Sequence, residues 1–184
     1  MTEPLATLAW TQRVDAATLA VVTGLDVEAR LREITGGPVE ESRDDFQGAF
    51  NKGGLGTPTR VPIQFDETPG GEVLIEPNGY LMSVYAAEMT RSGGSLVSVY
   101  WCDAIGREVV TFARDGRVVR SFSPDDLGRG EGEQQPEEAG LPWESRSRPA
   151  LVALFERVAL LPITEEWLTQ TVRRTWLVEE PPRV

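Results

Sequence analysis

Chemistry in a protein of this size needs side chains that hold a proton, attack as a nucleophile or ligate a metal. The 184-residue chain contains no histidine. An imidazole base is therefore absent, and with it every Ser-His-Asp or Cys-His arrangement. One cysteine, Cys102, does not make a zinc site. What remains is carboxylate chemistry, oxygen-ligated Mg²⁺ or Ca²⁺, or a Lys or Tyr acting alone.

Glu76 and Asp103 each close a predicted strand, and they would form paired carboxylates if the two strand ends meet at one rim. The plainer reading is two packed strand ends. Cys102, between Trp101 and Asp103, reads as packing rather than as a nucleophile. Lys52 precedes Gly53-Gly54-Leu55-Gly56-Thr57, whereas a phosphate loop places Lys after its glycines and opens a helix; here Pro58 follows. That stretch reads as a flexible loop. Asp125, Asp126, Glu131 and Glu133 lack calcium-loop spacing and read as a solvated acidic loop. Trp143, inside that loop, is the tryptophan available to a partner. The candidate partner-binding residues are thus Glu76, Asn78, Tyr80, Trp101 and Asp103 on a strand rim, or the loop around Trp143.

Charge narrows the partner. There are 29 acids against 18 bases, a net charge of −11. A nucleic-acid backbone needs clustered cations, and anionic lipid is disfavoured for the same reason. A protein partner is expected, with neither nucleic acid nor membrane. No apolar run approaches the ~20 residues of a membrane helix. The N-terminus M-T-E-P-L-A-T-L lacks the basic start of a secretory signal. A single cysteine suits a reducing compartment, so a cytoplasmic location is expected.

These residues need a scaffold, and the clearest part of it runs from Ser95 to Pro124. Three runs rich in Val, Phe and Tyr are separated by D-A-I-G and D-G, a β-meander whose Asp115-Gly116 forms a two-residue hairpin turn. Upstream, residues 5–14 read as a first strand. Asp15 caps a short helix over A-A-T-L-A-V-V-T, although Val21-Val22 could extend a strand. Asp26 caps a helix that Gly36-Gly37-Pro38 stops. Residues 39–50 read as a helical turn or two with Phe46 and Phe50 on one face. Two strands follow, R-V-P-I-Q-F-D and E-V-L-I-E; Pro62 confines the first to an edge or a strand start. Pro77-Asn78-Gly79 ends the second, and Tyr80 to Arg91 is helix-like.

Residues 123–146 form a long acidic loop, pinned by Leu141 and Trp143; a loop of that length is uncommon without a function. A helix begins at Ser147. Thr164 caps a last helix carrying Trp167, Leu168, Val172 and Trp176, and residues 179–184 are a frayed tail. No repeat or linker divides residues 1–184, so one domain is expected. The order implies an α+β fold with an antiparallel sheet of five or six strands, a central meander and helices packed mainly on one face.

Five segments in order carry a resemblance: L-A-T-L-A-W-T-Q-R-V-D, V-L-I-E-P-N-G-Y, L-V-S-V-Y-W-C-D, F-A-R-D-G-R-V-V-R-S-F-S-P and L-P-I-T-E-E-W-L. From Leu5 to Leu168 the chain resembles an uncharacterised actinobacterial family, domain of unknown function 6461. Material around residues 36–60 departs from it. The resemblance implies a high-GC bacterial, cytoplasmic setting and one domain, but no reaction, cofactor or catalytic residue. Residues Glu76 to Tyr80 match its most recognisable motif. The leading expectation is a non-enzymatic protein-binding module, immunity-like or regulatory. The alternatives are a carboxylate- or Mg/Ca-dependent enzyme using Glu76 and Asp103, and a small-ligand-binding domain.

Overall fold

The computed structural model describes residues 10–11, 13–53, 59–143 and 147–181. Among these residues nine strands form one antiparallel sheet: β1 (Ala16–Thr23), β2 (Pro38–Asp44), β3 (Arg60–Thr68), β4 (Gly71–Pro77), β5 (Ser95–Cys102), β6 (Arg107–Arg114), β7 (Arg117–Phe122), β8 (Glu131–Gly132) and β9 (Arg173–Glu179). Their order across the sheet is β2-β9-β3-β4-β1-β5-β6-β7-β8. Six α-helices accompany them among the described residues: α1 (Val27–Thr35), α2 (Phe46–Lys52), α3 (Leu81–Val84), α4 (Ala86–Met89), α5 (Ser147–Ala159) and α6 (Glu165–Thr169).

This corrects the expected sheet of five or six strands with helices mainly on one face. Both faces are covered. Leu19, Val21, Ile75, Val99 and Trp101 pack with α5 and Leu168 of α6 on one side. Ala20, Val22, Leu74 and Leu96 pack with Leu31 of α1, Leu81 of α3 and Met89 of α4 on the other. A strand covered on both sides reads as a continuous apolar run, without polar alternation. β1 is that case: seven of its eight residues are buried, and it is the middle strand rather than the expected helix.

The meander forms as expected. Asp115 and Gly116 have φ of 49° and 78°, the left-handed pair that a tight hairpin needs. Asp26 caps α1 by accepting from the Ala29 N–H, and Gly36 closes it with φ 80°. Residues 39–50 divide into β2 and α2, with the Asp45 side chain capping α2. Tyr85 breaks the expected Tyr80–Arg91 helix into two single turns.

The last expected helix ends at Thr169, and Trp176 lies instead in β9, fully buried between β2 and β3. The tail is anchored at its start: Glu179 closes β9, and the Glu180 N–H donates to the Thr59 carbonyl at 2.8 Å. The strand expected at 5–14 lies mostly outside the described residues.

The acidic segment after Phe122 is organised by short 3-10 turns at Pro124–Arg129 and Pro136–Glu138 and by the pairing of β8 with β7. A buried ion pair holds it down. Arg120 reaches from β7 to Glu138, Nε to Oε1 at 3.3 Å and Nη2 to Oε2 at 3.4 Å. Glu138 also accepts from the Gln135 N–H at 2.8 Å.

Pro62 is not on an edge strand, since β3 lies between β9 and β4. It is tolerated because pairing with β4 begins only at Gln64 opposite Ile75, while Pro62 faces Leu177 of β9. On the β4 side Pro62 lies beyond the ladder, so its missing N–H costs no bond there. Where β3 and β4 part, a cleft opens.

Candidate functional site

The cleft has a volume of about 450 Å³. One wall is Arg60, Val61 and Pro62 of β3; the other is the turn from Pro77 to Leu81 together with Tyr85. Phe50 of α2, 39% exposed, and Glu180 border it.

The turn wall is built by the sequence E-P-N-G-Y. Asn78 sits at φ 60°, a conformation that Asn tolerates better than most side chains. Its N–H donates to the Ala16 carbonyl at 3.2 Å. Gly79 packs where a Cβ would lie 2.6 Å from Glu76 Oε2 and 3.0 Å from Val61 Cγ1, so no larger residue fits without movement. The Thr18 hydroxyl donates to the Gly79 carbonyl at 2.6 Å. Helix α3 begins without a capping side chain at Tyr80. Glu76 substitutes for one from β4: its two oxygens accept from the Leu81 and Met82 N–H groups, each at 2.7 Å. Those are first-turn donors that the helix itself leaves unpaired.

Glu76 is fully buried. Burial pushes its carboxyl up to about 7; the two N–H bonds oppose that rise and the like charge of Glu180 adds to it. Tyr80 stands edge-on to Tyr100, ring centroids 6.3 Å apart, and its hydroxyl donates to Glu180 at 3.0 Å. The Tyr85 hydroxyl donates to the Pro181 carbonyl at 3.2 Å. Both tyrosines thus tie the chain after β9 to the cleft.

The structure brings together three of the six residues singled out from sequence: Asn78 and Tyr80 line the cleft, and Glu76 lies directly behind its wall. The other three lie elsewhere. Trp101 is fully buried on the opposite sheet face, where its Nε1 donates to the Val14 carbonyl at 2.8 Å. Asp103 follows β5 on that same side and pairs with Arg148 of α5. Because Trp101 and Asp103 belong to one face and Glu76 to the other, the two carboxylates do not converge. Trp143 is also buried, edge-on to Phe122 at 5.1 Å, with Nε1 donating to the Glu138 carbonyl at 3.3 Å. Neither tryptophan offers its ring to a partner in this conformation; both fill the core, as their bulk and single donor allow.

Lys52 contacts Glu40, Ser42 and Asp44 at 2.7–3.0 Å. The hydrogen bonds to Glu40 and Asp44 raise its pKa. Its ammonium is committed to β2, and residues 54–58 of the adjoining glycine loop lie outside the described part. Among the described residues no cluster of three His, Cys, Asp or Glu side chains is placed to hold a metal ion. No helix among them is long and apolar enough to cross a membrane.

Phe50, Arg60, Tyr85 and Glu180 belong to the cleft and escaped the sequence reading. Tyr85 falls inside the helix-like stretch Tyr80 to Arg91 and Glu180 inside the tail expected to fray. The available signal was Pro62, a break in a strand facing the E-P-N-G-Y turn. No protein-family model, curated protein or solved structure matches this chain.

Proposed function

We propose that the chain is a non-enzymatic cytoplasmic module that recognises another protein, in an immunity-like or regulatory role, at the cleft between β3 and the 77–85 segment. The observation that carries this reading is the make-up of the cleft: Phe50, Tyr80 and Tyr85 with Pro62 and Pro77, and Arg60 at the mouth. Aromatic and Arg side chains are the types that dominate binding energy at protein interfaces. The carboxyl group behind the wall, Glu76, has both oxygens engaged by backbone, which makes it a structural cap rather than a free acid or base. The net charge of −11 favours a partner with a basic surface, which the long-range field draws in. The resemblance noted above supplies the bacterial setting and no activity. A small-ligand-binding domain is the second reading, favoured by a volume within the range of small-molecule pockets.

Affinity capture from the source cells at raised salt tests the first reading. The tagged protein is expected to retain a stoichiometric protein partner, and Phe50→Ala to weaken that complex by about tenfold or more. Val118→Ala, a change at an exposed site on β7, is expected to leave it intact. Capture of no stoichiometric partner, or equal binding by both variants, counts against the cleft as the docking site.

A further inference from the structure

An open sheet has two edges, and here they differ. β8 ends one of them with two residues. β2 forms the other with seven, and among the described residues no strand lies beyond it. An uncovered edge presents unpaired N–H and C=O groups to any chain that fits. Pro38, and the register shift between Pro38 and Glu40, spoil one end of β2. From Glu40 to Asp44 its pairing with β9 runs without a shift, so that stretch keeps a regular edge.

Charge decides what can pair there. Side chains alternate between the two faces of a strand. Glu40, Ser42 and Asp44 share one face, where Lys52 contacts all three at 2.7–3.0 Å. Glu41 and Arg43 share the other. Both are exposed, and among the described residues neither forms an ion pair. Arg43 also lies directly opposite Arg174 of β9, whose own acid is Glu28 at 2.6 Å. Like charges in direct register disfavour a strand pair, and an acid on the open side of Arg43 would relieve this one.

We propose that this edge takes a second copy of the chain, β2 against β2, antiparallel about a two-fold axis at Ser42. Directly opposed residues share a face, so the axis of such a pair passes through a residue and not between two. Centring on Ser42 sets Glu41 of each copy against Arg43 of the other, two opposite-charge pairs on one face. On the other face Glu40 meets Asp44 of the second copy, and Lys52 of each copy already stands beside both of its own acids. The neighbouring registers, centred on Glu41 or on Arg43, set that residue against itself and leave no opposite-charge pair. Charged residues ordinarily guard an edge strand; the order of those on β2 favours one self-pairing. The contact needs no other protein and is read on the purified chain, so it stands apart from recognition through the cleft.

Sedimentation equilibrium of the full chain over a concentration series tests this, at about 0.15 M salt, where the repulsion between two acidic copies is largely screened. A monomer–dimer equilibrium is expected. Glu41→Arg and Arg43→Glu, each of which sets like charges in register, are expected to raise the dimer dissociation constant by about tenfold or more. The double reversal restores both pairs and is expected to return it to within about threefold of the original. Hydrogen exchange of the unaltered chain is expected to slow in residues 40–44 as concentration rises, with β8 unchanged; this decides the matter if a single reversal does not fold. A chain that stays monomeric up to about 1 mM overturns the proposal. So does a dimer indifferent to either reversal, or one that the double reversal does not recover. Slowed exchange at 40–44 only when a different protein is added would give the edge to that partner, and overturns it too.

Discussion

Replacing Glu138 by Ala is expected to destabilise the protein by about 3–5 kcal/mol, the usual cost of removing one partner from a buried ion pair. Glu138 is 1% exposed and Arg120 8% exposed. Among the described residues Arg120 then keeps the Gly132 carbonyl, at 3.1 Å, and the Phe122 ring beneath its guanidinium. The Gln135 N–H loses its acceptor as well. The segment carrying Trp143 should loosen first, because the Trp143 indole donates to the carbonyl of the replaced residue. Urea unfolding followed by tryptophan fluorescence measures the loss. Replacing both partners, Arg120→Met with Glu138→Leu, should cost less than Glu138→Ala alone, since no charge is then left buried. A loss below about 1 kcal/mol for the single change would mean that the acidic segment is not held by this pair.

The second large effect is Trp101→Ala, expected to cost about 3–5 kcal/mol as a truncation in a close-packed core. The ring is fully buried under α5, with Arg148 5.0 Å above it and Val14 accepting from its indole. Trp101→Phe should cost less, keeping most of the apolar area while giving up one hydrogen bond. Under conditions where Trp101→Ala remains folded, partner binding should persist, because the cleft lies on the opposite face. Near-native stability combined with lost binding would instead make Trp101 a contact residue. Chemical denaturation and binding to the captured partner, measured side by side, separate the two.

These positions show what the chain reveals before folding and what it withholds. The Asp115-Gly116 hairpin was legible because a two-residue turn with positive φ admits few residue types. Asp26 and Thr164 were legible as helix caps for a similar reason: the side-chain oxygen of each accepts from an N–H three residues on. β1 was not, because a run buried on both faces has no period, and its helix and strand readings coincide.

β9 misled through spacing. Leu168, Val172 and Trp176 fall four apart as on a helix face, yet Val172 is 54% exposed and Trp176 fully buried. β2 offers almost no apolar residues to read. The cleft depended on these misread elements. It exists because β9 brings Glu180 and Thr59 beside the E-P-N-G-Y turn. A chain read with a helix at its end has no means of placing them there. Trp101 and Trp143 illustrate the reverse problem: aromatic residues suited to an interface are equally suited to a core, and only tertiary packing decides between them.

The most direct test is hydrogen exchange of the protein alone and in complex with the partner captured from its own cells, at a single fixed pH. Protection on binding is expected in residues 59–62 and 77–85, which form the two walls of the cleft, with β6 to β8 unchanged. Protection confined to the acidic segment after Phe122 or to the β2 edge, or no complex to measure, would contradict recognition through the cleft.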